Sequence, residues 1–98
     1  MGWNMGGKKL YTCPCCGYKT LEYRREWLTC LVCIWNDDEI QADEPDFSGG
    51  PNKGVSLRAA QRNFSEIGVC SIYMLERRNP SAVLKYEKDS NFKSLEQY

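Results

Sequence analysis

Residues 13–33 read CPCCGYKTLEYRREWLTCLVC, and this stretch decides the fold. It holds Cys13-x2-Cys16, then thirteen residues, then Cys30-x2-Cys33. Each Cys-x2-Cys is a tight turn that can point two sulfurs at one ion and aim backbone N–H groups at the thiolates. Two such turns make a tetrahedron of thiolates, with metal–sulfur bonds of about 2.3 Å. Spacing of this kind reads as a four-cysteine zinc site formed by Cys13, Cys16, Cys30 and Cys33, with iron as the alternative ion. Gly17 fits a position after the first turn that needs backbone freedom.

The residues between the pairs suit a short hairpin. Tyr18 to Tyr23 alternates as a strand does, and Glu26 to Thr29 is expected to return against it. Leu10 to Thr12 leads into the first turn as another short strand. Cys15 is expected to face outward in its turn, or to exchange with Cys16 as a ligand. Cys70 reads as a small buried apolar residue.

Beyond the cysteines, residues 36–54 break both periodicities. Asp37, Asp38, Glu39, Asp43, Glu44 and Asp46 make this an acidic loop, closed by the turn chemistry of Gly49-Gly50-Pro51-Asn52. Ser56 is an N-cap for a helix over Leu57 to Ile67. Leu57, Ala60, Phe64 and Ile67 share about 80° of arc, a narrow apolar stripe. Gly68 ends that helix. Shorter helices are expected over Ile72 to Arg77, with Ser71 as cap, and over Ala82 to Lys88. The expected class is therefore small α+β, with a four-cysteine zinc-ribbon hairpin, an acidic loop and two or three short helices. Residues 1–9 read as a flexible lead, 10–88 as one zinc-ribbon plus helical domain, and 89–98 as a frayed tail.

Composition bounds the function. Thirteen basic and thirteen acidic residues give zero formal charge, which argues against a phosphate backbone as partner. No secretory leader or apolar span of about 18 residues is visible, so a soluble, cytoplasmic protein is expected. In a reducing compartment, paired cysteines read as metal ligands before disulfides. The chain has no histidine, the commonest general base, and the expectation is a non-enzyme. Four thiolates also close the coordination shell, which makes the metal structural.

Cys13-Pro14-Cys15-Cys16-Gly17-Tyr18, Cys30-Leu31-Val32-Cys33 and Trp35-Asn36-Asp37-Asp38 together resemble the cysteine-rich CPCC family of small bacterial proteins. Gly50-Pro51-Asn52, Val55-Ser56-Leu57, Ala60, Asn63-Phe64 and Gly68 continue the likeness, which spans roughly residues 11 to 78. The resemblance implies zinc-ribbon or rubredoxin-like knuckles. Some members are similar to immunity proteins encoded beside toxins. The sequence departs from the pattern at Ile34, Asn36 and Gln41-Ala42-Asp43.

The leading expectation is a protein-binding module of the immunity or antitoxin type. Trp35, Asp37, Asp38, Asp43 and Asp46, with Phe47 at the loop's edge, would meet a basic partner such as a toxin. The alternatives are a nucleic-acid-associated ribbon using Arg24 and Arg25, and a thiol-redox or rubredoxin-like electron-transfer protein.

Overall fold

The computed structural model describes residues 9–96. The expected flexible lead, Lys9 apart, and the last two residues of the expected tail lie outside that range. Strand β1 (Tyr11–Thr12) pairs antiparallel with β2 (Lys19–Leu21), with Tyr11 opposite Leu21 and Thr12 opposite Lys19. The first Cys-x2-Cys turn joins them. The partner of β2 is therefore the segment before the turn, not Glu26 to Thr29.

Glu26 to Thr29 has a different role. Trp27 N–H donates to the Asp37 carbonyl at 3.1 Å, Asp37 N–H to the Leu28 carbonyl at 3.0 Å, and Thr29 bridges Asn36. These residues close a second hairpin-like loop around the second cysteine turn. The expected single hairpin between two turns is thus two hairpins, each wrapped around its own turn. The cause is local. A four-residue turn returns the chain beside itself, so the flanking residues find each other before a more distant segment can.

The acidic segment is not structureless. Asp38 caps a short helix α1 (Glu39–Asp43) by accepting the Gln41 N–H at 3.0 Å. Three buried or half-buried amides then tie the loop down. Asn36 N–H donates to Asn52 Oδ1 at 2.9 Å, and Asn52 Nδ2 returns bonds to the Asn36 carbonyl at 2.9 Å and Gln41 Oε1 at 2.7 Å. Gln41 Nε2 donates to the Phe47 and Val55 carbonyls. Asn52 in effect plays the part of a neighbouring strand for Asn36.

Helix α2 (Leu57–Ile67) has the bounds that its caps predict. Ser56 Oγ accepts from Ala59 N–H, and Gly68 sits at φ +81°, the left-handed conformation that ends helices. Its buried face comprises Leu57, Ala60 and Gln61, with Phe64 and Ile67 half-buried. Ile72–Arg77 is helical as expected but wound as 3-10, as is Pro80–Leu84. Both runs are short, and Pro80 forces Asn79 out of the helical region, so neither can extend into an α-helix.

The helix expected over Ala82 to Lys88 stops at Leu84. Beyond it the chain runs beside the first cysteine turn: Tyr18 bridges Lys88, Lys19 N–H donates to the Glu87 carbonyl, and Asp89 N–H to the Gly17 carbonyl. The tail expected to fray from Asp89 onward is docked through Glu96. Thr12 Oγ1 donates to the Asp89 carboxylate at 2.6 Å, Leu95 N–H donates to Gln61 Oε1 at 2.7 Å, and Glu96 pairs with Arg58 and Arg62.

The core is built largely of sulfur. Among the described residues, six of the fourteen buried apolar ones are cysteines, and the large aliphatic or aromatic ones among the rest are few: Leu21, Ile34, Trp35 and Leu57. A core so poor in hydrocarbon leaves much of the stabilisation to whatever the sulfurs hold. Among the described residues, no helix is long and apolar enough to cross a membrane.

Candidate metal centre

The two cysteine turns are copies of each other, offset by seventeen residues. Cys13 N–H donates to the Tyr18 carbonyl and Gly17 N–H to the Cys13 carbonyl; Cys30 N–H donates to the Trp35 carbonyl and Ile34 N–H to the Cys30 carbonyl. In each turn an N–H two residues on reaches the first sulfur: Cys15 to Cys13 at 3.4 Å and Val32 to Cys30 at 3.3 Å. Gly17 (φ +83°) and Ile34 (φ +68°) occupy the same left-handed position. Glycine takes this conformation freely, whereas a β-branched residue there is strained.

The copies face each other with their sulfurs inward. Cys13 Sγ lies 3.6 Å from Cys33 Sγ, and Cys16 Sγ lies 3.7 Å from Cys30 Sγ. All four ligand atoms lie within 4.8 Å of one another, and all four residues are buried. A regular tetrahedron with metal–sulfur bonds of about 2.3 Å has edges of about 3.8 Å. The four residues named from spacing are thus brought together as one group able to hold a metal ion.

The electrostatics of the group suit a cation. Burial pushes the Cys13 and Cys33 thiols well above the ordinary value. Cys30 moves the other way, because the thiols of Cys13, Cys16 and Cys33 and the Thr20 hydroxyl direct donors at its sulfur. Without a cation, burial opposes negative charge on Cys13 and Cys33, and the converging donors favour it on Cys30. A divalent ion would remove that limit by supplying the charge that burial denies Cys13 and Cys33. Cys13, Cys16, Cys30 and Cys33 would hold it, and with four protein thiolates the tetrahedron has no vertex left for a reacting water.

The two remaining cysteines are also inside. Cys15 is buried, not outward, because the first turn is drawn onto α2 by a bond from Gln61 Nε2 to the Pro14 carbonyl at 2.8 Å. Burial raises its thiol. Cys70 is buried as expected, and burial pushes its thiol up to about 12. Its N–H donates to the Cys33 carbonyl at 2.8 Å, and its own carbonyl accepts from Asn63 Nδ2 at 3.0 Å. Helix α2 therefore grips the first turn directly through Gln61 and the second only by way of the Cys70 peptide, which Asn63 holds. Asn63 belongs to the family likeness without a role attached to it, and Gln61 stands outside the expected site. A signal existed for Gln61, a polar residue within about 40° of Leu57 on the apolar face.

The residues expected to form a partner surface are divided. Trp35 is 1% exposed and packs in the core beside the cysteines. Asp37 and Asp38 are buried beneath residues 25–27: Asp37 Oδ2 accepts the Arg25 N–H at 2.7 Å, and Asp38 Oδ1 accepts the Trp27 indole N–H at 2.7 Å. Burial raises the Asp37 carboxyl above its usual value. These three are a correction to the presented acidic loop, because their side chains satisfy inward N–H groups or fill the core. Asp43 and Asp46 do face solvent, paired with Arg25 at 2.9 Å and Arg58 at 2.7 Å respectively. The Arg58 guanidinium holds the Asp46 carboxyl below its usual range. Phe47 is exposed at the loop's edge.

No curated protein matches the chain. A family model described as cysteine-rich CPCC matches residues 11–96, farther toward the C-terminus than the sequence likeness alone reaches. The docked tail accounts for that reach: Asp89, Phe92, Leu95 and Glu96 all contact the first turn, its flanking strand or α2. With two matched cysteine turns at its centre and most of its length covered, the chain belongs to the cysteine-rich CPCC family.

Proposed function

We propose that this is a non-catalytic protein-binding module whose fold is held by one structural zinc ion. Support for the zinc comes from four buried sulfurs at tetrahedral spacing, with no vertex left for substrate or water. Iron would fit the same ligands and would show itself as visible charge-transfer colour.

One observation carries the binding reading. Trp27 is 66% exposed, yet it is pinned in a left-handed backbone conformation at φ +63°. Asp38 holds its indole N–H, the Asp37 carbonyl holds its N–H, and Asn36 Nδ2 holds its carbonyl at 2.8 Å. A large aromatic side chain that is outside, strained and immobilised is preorganised for recognition. Tyr23 is also exposed nearby, and Tyr11, Tyr23, Arg24, Glu26 and Leu28 line an adjoining cleft of about 560 Å³. Aromatic residues and arginine dominate binding energy at protein interfaces.

Glu39 and Glu44, exposed in the same segment beside the ion-paired Asp43 and Asp46, suit a basic partner. A basic toxin is the form of partner that the family likeness suggests. Arg24 and Arg25, which a nucleic acid would need, are committed to the Tyr11 ring and to Asp43.

The test is co-purification from the native host with the parent chain and Trp27→Ala. A partner retained by the parent and lost by the variant, at equal zinc content, supports the reading. Equal retention by both removes Trp27 from the interface and with it the support for this surface.

A further inference from the structure

Four thiolates around a divalent cation carry a net charge of about −2, and a buried dianion is costly unless hydrogen-bond donors surround it. Among the described residues, four donors reach the sulfurs of this centre from outside the set of thiols. The Cys15 N–H reaches Cys13 at 3.4 Å. The other three converge on Cys30: the Val32 N–H at 3.3 Å, the Cys33 N–H at 3.5 Å and the Thr20 hydroxyl at 3.1 Å. The backbone donors belong to the turns themselves. Thr20 is different, because it comes from β2, at the far side of the first turn, and is a side chain that evolution can change.

Thr20 is also held where it is. It is 9% exposed, between Lys19 and Leu21, which pair with β1. On the other edge of β2, Lys19 N–H is bonded to the Glu87 carbonyl at 2.8 Å. A β-branched side chain on a strand held at both edges has few rotamers to choose from. The hydroxyl therefore points at Cys30 by construction and does not rely on the metal to draw it there.

We infer that Thr20 is a positioning residue for the metal centre, whose hydroxyl withdraws electron density from the Cys30 thiolate and makes it the least reactive of the four ligands. The inference rests on the metal reading above. Hydrogen bonding to a thiolate lowers its nucleophilicity and weakens its donation to the metal. With three such bonds on Cys30, the reactive side of the centre lies with the other three sulfurs. Thr20 thereby adds to the two backbone bonds that turn an electrophile toward the other three sulfurs when the centre opens.

The test uses Co²⁺ as the only metal, in the full chain, with Thr20→Val and Thr20→Ser beside the parent. Valine keeps the branched shape without the hydroxyl, and serine keeps the hydroxyl without the methyl. The sulfur-to-cobalt charge-transfer band should move to longer wavelength in Thr20→Val and return toward the parent position in Thr20→Ser. Alkylation of the loaded protein, mapped cysteine by cysteine, should speed up at Cys30 by about fivefold in Thr20→Val, the rate equivalent of one hydrogen bond. The other three ligands should keep their rates. An unshifted band, or equal acceleration at all four cysteines, overturns the inference, since loosened packing alone would expose them together. If Thr20→Val does not fold, Thr20→Ser decides: a band displaced from the parent's counts against the hydroxyl. A parent chain that fails to take up one Co²⁺ with a tetrahedral spectrum overturns the metal reading, and this inference with it.

Discussion

Replacing Cys30 by alanine should unfold the protein, whereas replacing Cys70, equally buried, should not. Structural zinc contributes about 10–16 kcal/mol to small zinc domains, so one ligand's equal share is about 2.5–4 kcal/mol. Cys30 also accepts from Thr20, Val32 and Cys33, all buried, and its loss leaves those three donors without their acceptor. Contacts to sulfur are weak, so about 1 kcal/mol each, at the low end of the range for orphaned donors, is the appropriate figure. Together these amount to about 5.5–7 kcal/mol. A chain of this length has net stability of about 5–15 kcal/mol, so Cys30→Ala falls to the edge of folding or past it. Cys70→Ala removes one small apolar group and no ligand, at about 1 kcal/mol. The assay is urea unfolding followed by far-ultraviolet circular dichroism, with metal content measured on the same samples. Chelation of the parent should reproduce the Cys30→Ala curve. A Cys30→Ala protein that unfolds at the parent's midpoint, or a parent whose cooperative transition survives complete metal removal, would refute the reasoning.

Three further outcomes follow from particular contacts. Asn52→Ala removes three bonds to buried or half-buried groups and should lower stability by about 2–4 kcal/mol, with metal content unchanged, in the same urea assay. Gly17→Ala places a Cβ 2.6 Å from the Phe92 ring in a left-handed backbone, and should cost about 2–3 kcal/mol. Adding Phe92→Ala should recover the steric part, so a double-mutant cycle that comes out additive would be the contrary result. Asp37→Asn keeps an oxygen for the Arg25 N–H and removes a carboxylate whose folded value burial has raised. A raised folded value means the ionised form is penalised in the native state at neutral pH. The penalty fades as pH falls through the folded value toward the unfolded value of about 4. The parent should therefore gain on Asp37→Asn as pH falls across that window, and a stability difference that stays flat from pH 7 to pH 4 would contradict this.

How much was legible in the chain depends on the range of each determinant. Helix α2 was legible to the residue because its signals are local: a serine whose hydroxyl meets an N–H three residues on, four apolar residues on one stripe, and a glycine at the left-handed stop. The metal ligands were legible because two sulfurs per turn is a property of four residues, repeated. The pairing of β2 was not. Strands of two and three residues carry almost no pattern of their own, and which neighbour they take depends on which turn closes first. The acidic run misled for a similar reason. Six carboxylates in ten residues look like a solvated loop, yet Asp37 and Asp38 find inward N–H groups on residues eleven and twelve positions earlier.

Thus the sequence by itself determined the four-thiolate group, the α2 helix with both of its ends, and the small α+β class. Tertiary structure alone decided that each cysteine turn has its own hairpin, that Cys15 lies inside, that Trp27 is exposed while Trp35 is buried, and that residues 89–96 are docked. The physical reason is sequence separation. Thr12 to Asp89, Gln61 to Pro14 and Leu95 to Gln61 are hydrogen bonds across 77, 47 and 34 positions. Nothing local to either partner encodes such a bond; it exists only once the sulfur-rich core has brought the segments together.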